Sequence, residues 1–545
     1  MIPLLLVVGA ALLWFIWLCR AGLVAARMFQ IEEYEAARFL AWGQQRAWLW
    51  PAAVYLSSTL TLLLALSGLA LPAQLRQIGP SASWLAGVVL LHLLWKPLPA
   101  KKALVFTARM RRLLGAGSVL ALLVCWGVGV LTRQAPAGAI ASVMSCLLAP
   151  ELVLLFTVAG NTLMMPVEAL VRRSFLRRAH TRITHIHPFV IGIAGSYGKT
   201  STKHFLAQLL APSKETLATP KSFNTLMGLT RTINEYLEPQ HELFLAEMDA
   251  YARGEIAAMC RLVGPRMALI TSIGPQHLER FGSIERISDA LYELVEALPE
   301  GSPVVIYGGE KMSARLAERA ACHGYRVVRY GIAGETTAPL DIVASDIVVD
   351  ELCTHFTWRW ADEALELRVT LPLPGQHTIL NVSAALAVLH LLHLPLAELA
   401  PATAHLKPVP HRLQLIQSPG GITIIDDAYN ANPVGVHNGL DVLAHMQGRT
   451  KILVTPGMVE LGSAQEAENR RFGEHAARVC DHVILVGEKQ TRPILAGLRA
   501  HDFPAEHIHL VHTLAEATTE LSHIAGPGAV VLFANDLPDT YLELP

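Results

Sequence analysis

The chain has no excess of charge: 44 Lys and Arg against 45 Asp and Glu over 545 residues leave a formal net charge of -1. No global basic field exists to hold nucleic acid, so nucleic acid is not an expected partner. Cysteine pairing is missing as well. The seven cysteines, at positions 19, 125, 146, 260, 322, 353 and 480, show no metal-type spacing, and the first three lie in apolar runs. That is the usage of a reducing compartment, with thiols serving as small core residues. No basic stretch precedes the apolar start of the chain, which argues against a cleaved signal peptide.

Apolar sequence, in contrast, is abundant. Hydrophobic residues make up 52% of the chain, and the excess sits in the first third. Five apolar runs, roughly 3–19, 50–71, 83–95, 113–131 and 139–165, predict about five membrane-spanning helices within residues 1–180. The first is long enough only if it continues past Arg20, and the third is short. Basic residues alternate between the loops as the positive-inside rule requires. Arg20, Arg27, Arg38 and Arg46 follow the first run; Lys96, Lys101, Lys102, Arg109, Arg111 and Arg112 follow the third; Arg172, Arg173, Arg177 and Arg178 follow the fifth. Arg76 and Arg133 stand alone on the other side. The expected protein is a multi-pass protein of the cytoplasmic (inner) membrane, contacting lipid, with its N-terminus outside and everything after residue 170 in the cytoplasm.

The most informative segment begins beyond this region. An apolar run, 190–194, is followed by Gly195-Ser196-Tyr197-Gly198 and then by Lys199-Thr200-Ser201, which reads as a strand, a tight turn and a helix start. Glycines let backbone N–H groups close around phosphate oxygens, and a helix N-terminus favours an anion. Lys199 is placed to reach terminal phosphates and Thr200 to ligate Mg²⁺. The strict Walker spacing would need glycine at position 193, which is Ile193 here. An ordinary strand-turn-helix corner is the alternative reading.

Farther along, strand-like runs at 304–307, 422–425, 451–454, 482–486 and 529–533 alternate with helical patterns, the mark of an α/β fold with parallel sheets. Proline-bearing stretches at 371–374 and 406–410 suggest joints, with a domain boundary near residue 405. Glu247 ends the apolar run 243–246, where a carboxylate beside a bound metal is expected. His277 follows the run 267–273 and is either a cation ligand or a surface loop residue. Asp426 and Asp427 end the run 422–425. Such an acid pair needs a partner, be it a ribose hydroxyl, Arg412 or a metal; a capped turn is the alternative.

In order, these pieces resemble the Mur ligase family of ATP-dependent amide ligases of peptidoglycan precursor synthesis, and most of all its D-alanyl-D-alanine-adding branch. The resemblance covers roughly residues 186 to 545 and rests on Gly195–Ser201, Thr219 through Phe223-Asn224 to Gly228, Glu247 with Gly254-Glu255-Ile256, and the block from Thr271 through His277 to Gly282. It continues through Gly375-Gln376-His377 with Asn381, His411-Arg412-Leu413-Gln414, the block from Asp426 to Pro433, and Gly457–Gly462 with His475. It implies a phosphate-loop central domain over 186–404 and a Rossmann-like C-terminal domain over 405–545. ATP and Mg²⁺ are the implied cofactors. Lys199, Glu247 and His277 are the implied catalytic residues, and Thr200, Glu247 and His277 the implied metal ligands. Nucleotide contacts are implied for residues Gly195 to Ser201, for Asn381 at the adenine, for Arg412 at a phosphate and for an Asp of the Asp426-Asp427 pair at the ribose. The implied reaction activates a carboxylate as an acyl phosphate and passes it to an amine.

Two departures matter. Membrane-type sequence occupies the place of the family's soluble N-terminal domain, which in this branch binds the UDP end of the precursor. Alignment also puts Leu291 where the family usually has a carbamylated lysine that binds a second metal, and Asp289 and Glu293 lie roughly opposite it on the helix. The expected protein is a membrane-anchored ligase that adds an amino acid or dipeptide to a cell-envelope precursor, beside envelope-synthesis partners in the membrane. A poly-amino-acid synthetase and a catalytically impaired nucleotide-binding scaffold are the alternatives.

Overall fold

A computed structural model describes residues 2–45, 82, 85–89, 92–93, 103–131, 150–418, 420–429, 431–446 and 450–536. The second apolar run, residues 83–84, 90–91 and 94–95 of the third and residues 139–149 of the fifth lie outside them, as do Arg46, Arg76, Lys96, Lys101, Lys102, Arg133 and Asn430. The chain divides into two compact units, Met1–Arg173 and Ser174–Pro545.

The described part of the first unit is mostly helical. The first apolar run lies in one helix, Ile2–Ile31, which continues past Arg20 without a break. The fourth lies in Ala108–Leu131. The described part of the fifth lies in Pro150–Ile186, which extends far beyond residue 165 and carries Arg172, Arg173, Arg177 and Arg178 on the helix itself rather than in a loop after it. Stretches Leu12–Ile31 and Val153–Ile186 are long and apolar enough to cross a membrane.

In the second unit, nine strands form one sheet in the order β2-β3-β1-β4-β5-β6-β7-β8-β9. They are β1 (Phe189–Ala194), β2 (Thr216–Ala218), β3 (Leu243–Glu247), β4 (Met267–Ile270), β5 (Pro303–Tyr307), β6 (Arg326–Ile332), β7 (Ile342–Val349), β8 (Thr354–Trp360) and β9 (Leu365–Leu371). Pairing is parallel from β2 to β7 and antiparallel from β7 to β9. Strand β1 is apolar throughout because both its faces are covered. Ile191 and Ile193 join the core beneath helices Lys199–Leu210 and Gln376–Leu391, while Val190 and Ala194 join the opposite core beneath helix Ile284–Glu296. Leu291 belongs to that second core, 6% exposed, on the same apolar face as Ile287, Leu294 and Val295.

A six-stranded sheet follows, ordered β10-β11-β15-β12-β13-β14. Its strands are β10 (Gln414–Gln417), β11 (Thr423–Asp427), β12 (Lys451–Thr455), β13 (His482–Val486), β14 (Ile508–Val511) and β15 (Val530–Ala534), all parallel except β10. The sequence pattern locates four of its five parallel strands to within about two residues and misses β14. The β7–β9 meander is the part that an all-parallel reading misses. The proline stretch at 371–374 leads from β9 to helix Gln376–Leu391, inside the central domain rather than between domains.

Candidate active site

Parallel pairing puts the chemistry at one edge. Ile193 of β1 pairs with Glu247, the last residue of β3, so the turn that leaves β1 lies beside that carboxylate. The turn needs both glycines. Gly195 sits at φ +140° and Gly198 at φ +83°; a Cβ at Gly195 would lie 2.1 Å from Thr271 Oγ1, and one at Gly198 2.5 Å from Asn381 Oδ1. Gly198 then starts helix Lys199–Leu210 with no side-chain cap, leaving its first backbone N–H groups for an anion.

Glu247 is buried and held by three donors. Thr200 Oγ1 donates to Oε1 at 2.9 Å, Asn224 Nδ2 to Oε1 at 3.2 Å, and Lys203 Nζ to Oε2 at 2.8 Å. Lys203, only 5% exposed, also donates to the carbonyls of Thr219 and Lys221 at 2.7 and 3.2 Å. The sequence reading missed it, although its position four residues after Lys199 places both lysines on one helix face. Thr200 and Glu247 together offer adjacent hard oxygens. That suits Mg²⁺, which takes one or two protein oxygens and fills its octahedron with water and phosphate.

Lys199 bends back over its own loop. Its ammonium donates to the carbonyl oxygens of Gly195 and Ser196 and lies 3.3 Å from Asp249 Oδ1. Asp249, just past the end of β3, is a second residue the sequence reading did not single out. Burial pushes its pKa up, but Lys199 and His277 outweigh that and hold it below the usual carboxylate range.

His277 belongs to this second cluster. Its Nδ1 donates to Glu460 Oε2 of the C-terminal domain at 2.9 Å, and its Nε2 lies 3.9 Å from Asp249 Oδ2. Tyr251 packs against the imidazole with ring centroids 4.4 Å apart. Burial lowers the pKa of His277, yet the two carboxylates raise it overall. Its structural partners are therefore Asp249 and Glu460, whereas Thr200, Lys203 and Asn224 surround Glu247. No set of three or more His, Cys, Asp or Glu side chains among the described residues is arranged to hold a metal alone. The two clusters meet at the phosphate loop.

Across the loop, a cavity of about 260 Å³ is lined by Tyr197, Gly198, Ser201 and Asn381 of the central domain and by Arg412 and Asp427 of the C-terminal domain. Asn381 accepts a hydrogen bond from Thr202 at 3.1 Å, tying its helix to that of the phosphate loop. Two lining groups, the Tyr197 hydroxyl and His377 Nδ1, are buried without a hydrogen-bond partner. Burial holds His377 down to about 4, so its imidazole is neutral near pH 7. Unmet polar groups in such a cleft suit a polar ligand, and they fit a nucleotide. Asp427 Oδ1 accepts from the Leu413 backbone at 3.3 Å, and burial pushes its pKa up to about 7 against the opposing pull of Arg412.

Asp426 is placed differently from its neighbour. It pairs with His411 Nδ1 at 2.7 Å, accepts from the Ala428 N–H and does not line the cavity. The two acids are the final residues of β11, where successive side chains point to opposite faces. Asp289 and Glu293 are also removed from the site. Asp289 pairs with Arg319 and Arg253, and Glu293 accepts from the N–H groups of Gly254 and Ala257 at 2.6 and 3.0 Å.

Residues 193–389 match the Mur ligase middle domain, and residues 411–535 match the Mur ligase, glutamate ligase domain, together more than half of the chain. The chain belongs to the Mur ligase family. The UDP-N-acetylmuramoyl-tripeptide–D-alanyl-D-alanine ligase of Mycobacterium tuberculosis is 36% identical over 306 residues, which are 55% of this chain and 58% of that protein. The enzyme of the same name from Escherichia coli is 33% identical over 301 residues, 55% of this chain and 65% of that protein. This chain thus spans less than two thirds of the length of either relative. Among solved structures, MurF of Acinetobacter baumannii aligns with a TM-score of 0.59 and 25% identity over 68% of this chain and 78% of its own. MurF of Thermotoga maritima, crystallised with ADP, has the same score and identity and is covered to 81%. In this chain the phosphate loop and the second sheet lie in consecutive α/β domains, matched by the two family models in that order.

Proposed function

We propose that this Mur ligase is an ATP-dependent carboxylate–amine ligase that works through an acyl phosphate and extends a cell-envelope precursor of peptidoglycan type with an amino acid or dipeptide. The observation that carries this reading is the convergence, on one cleft, of the uncapped helix at Lys199, the Thr200–Glu247 pair, and Arg412 and Asp427 from the second domain. Mg-ATP supplies the phosphoryl group and its electrophilic activation. Lys199 would neutralise charge on the terminal phosphate, and Thr200 and Glu247 would hold Mg²⁺. The C-terminal domain covers the cleft and keeps water from the activated carboxylate.

The membrane location belongs to the same proposal. Leu12–Ile31 and Val153–Ile186 support it by length and apolar character, as does the alternation of basic residues. Anchoring at the cytoplasmic face of the inner membrane would set the cleft beside a lipid-linked acceptor. Leu291, an apolar residue at a usual ligand position, favours the second reading, a nucleotide-binding scaffold.

The test is phosphate release by the intact protein in native lipid with Mg-ATP, across amino acids, D-alanyl-D-alanine and envelope precursors, with Lys199→Ala as the blank. Release that requires one acceptor–amine pair and disappears in the blank is the expected result. Nucleotide binding with no release under any combination would establish the scaffold. Alkaline carbonate should leave the protein in the membrane pellet; extraction into the supernatant would sink the anchoring.

A further inference from the structure

Three segments of the helical unit meet at one level, and polar contacts fix them there. At the end of helix Ile2–Ile31 the Gln30 amide clamps Val105, donating to its carbonyl at 2.9 Å and accepting from its N–H at 3.0 Å. Thr107 then caps helix Ala108–Leu131, its Oγ1 accepting from the Met110 N–H at 3.1 Å. That helix packs backbone to backbone on Pro150–Ile186. A Cβ at Gly160 would lie 2.6 Å from the Leu113 carbonyl oxygen, and one at Gly117 2.8 Å from that of Phe156. This close crossing brings Arg109, about two turns before Gly117, to Asn161. The apolar stretches of the three helices lie before Gln30, after Arg112 and before Glu168. By the alternation of basic residues, the shared level is the cytoplasmic headgroup layer.

Charge does not balance at this level. Arg112 pairs with Glu168 at 2.7 Å. Arg109 has neutral partners instead: its Nη2 donates to Asn161 Oδ1 at 3.3 Å, and its guanidinium carbon lies 3.8 Å from the centre of the Tyr34 ring. Its Nε–H is enclosed and meets no acceptor among the described residues. The charged side chains acting on Arg109, among the described residues, are Arg112, Arg172 and Glu168. Three guanidiniums therefore share one carboxylate, which Arg112 already holds. Where the dielectric falls towards the hydrocarbon, such an excess of positive charge is costly without an anion. A phosphate is the anion that a membrane surface supplies, and a guanidinium fork matches its oxygens. Val105, Phe106, Met165 and Val167, close in sequence to the cluster, are exposed apolar side chains against which acyl chains can lie.

We propose that Arg109, with Arg112 and Arg172 beside it, binds the phosphate group of a membrane lipid, either an anionic headgroup or the phosphate of a lipid-linked acceptor. The proposal rests on the membrane reading above and is independent of the ligase chemistry.

Native mass spectrometry of the full-length protein, stripped of lipid in a neutral detergent and titrated with phosphatidylglycerol, a polyprenyl diphosphate or diacylglycerol, reads the binding directly. Phosphate-bearing lipid should bind the wild type, and diacylglycerol should not. Arg109→Gln should weaken binding by roughly tenfold or more, through loss of charge-assisted hydrogen bonds. Arg172→Gln, which changes an exposed side chain, should weaken it by about fivefold, the worth of one basic residue at a charged surface. Tighter binding of the polyprenyl diphosphate than of phosphatidylglycerol would assign the site to the acceptor, and equal binding to headgroups in general. Diacylglycerol bound as well as the phosphate lipids, or one affinity shared by the wild type and both variants, overturns the proposal. Should Arg109→Gln fail to fold, Arg172→Gln decides, and an unchanged affinity in it refutes the site. Extraction of the wild type by alkaline carbonate removes the membrane reading and this site with it. Retention in the membrane without selective binding of phosphate lipid removes the site alone.

Discussion

Replacing Lys203 by Met should markedly destabilise the central domain while leaving the phosphate loop intact. Lys203 is 5% exposed and donates to Glu247 Oε2 at 2.8 Å, while Glu247 is 1% exposed. Removing one partner of a buried pair leaves the other charge uncompensated, at a cost of about 3–5 kcal/mol. Thr200 and Asn224 still donate to the other carboxylate oxygen, which puts the expectation towards the lower end of that range. For a domain of this size, about 2–4 °C of melting temperature accompany each kcal/mol, so a drop of roughly 6–15 °C is expected. Differential scanning calorimetry without nucleotide or Mg²⁺ reads it. The decisive comparison is the double variant Lys203→Met/Glu247→Gln. If the loss arises from a stranded carboxylate, neutralising that carboxylate should recover much of it, giving a clear coupling energy. A melting temperature for Lys203→Met within about 2 °C of wild type would refute the reasoning. A double variant as unstable as the sum of the two singles would do the same.

Three further outcomes are expected. Gly195→Ala puts a Cβ 2.1 Å from Thr271 Oγ1 at a φ of +140°, a strain of about 1–3 kcal/mol at the loop, and should weaken ATP binding by tenfold or more in calorimetric titration; an unchanged Kd would contradict it. Asp427 has its pKa raised from 3.8 to about 7 in the folded protein, so the folded state holds a proton that the unfolded state has lost. Its contribution is therefore present in full below pH 3.8 and lost as pH rises through 7, by at most about 4 kcal/mol before solvent access reduces it. Asp427→Asn should flatten the fall in urea-unfolding stability between pH 5 and pH 8, and an unaltered slope would count against the assignment. Leu291→Lys buries an ammonium among Ile287, Leu294 and Val295, and should lower the melting temperature by several degrees without raising kcat. A clear gain in kcat would show that position 291 still limits the site.

Local pattern determined more of the site than of the fold around it. The strand, the glycine turn and the helix start at 190–201 are legible because turn chemistry is local: only glycine tolerates φ +140° and +83° next to Thr271 and Asn381. Glu247 and Asp427 are found by a related rule, since parallel strands gather the residues at their C-terminal ends. The meander β7–β9 was also written in the chain, as the alternation of Thr354, Phe356, Trp358 and Trp360 inward with His355, Thr357 and Arg359 between them. It was hidden by the expectation of parallel order.

Other features depended on packing between distant segments, which no local pattern encodes. Side-chain alternation turns Asp427 to the cavity and Asp426 to His411, and only the strand's placement in the sheet decides which is which. The Lys203–Glu247 pair joins residues 44 positions apart, and the His277–Glu460 bond joins residues 183 positions apart in two different domains. By itself the sequence determined the family, the phosphate loop and the acid at each strand end, because those follow from residue type and short-range geometry. Tertiary structure alone decided which acid meets which cation, because that depends on where separately formed elements come to rest.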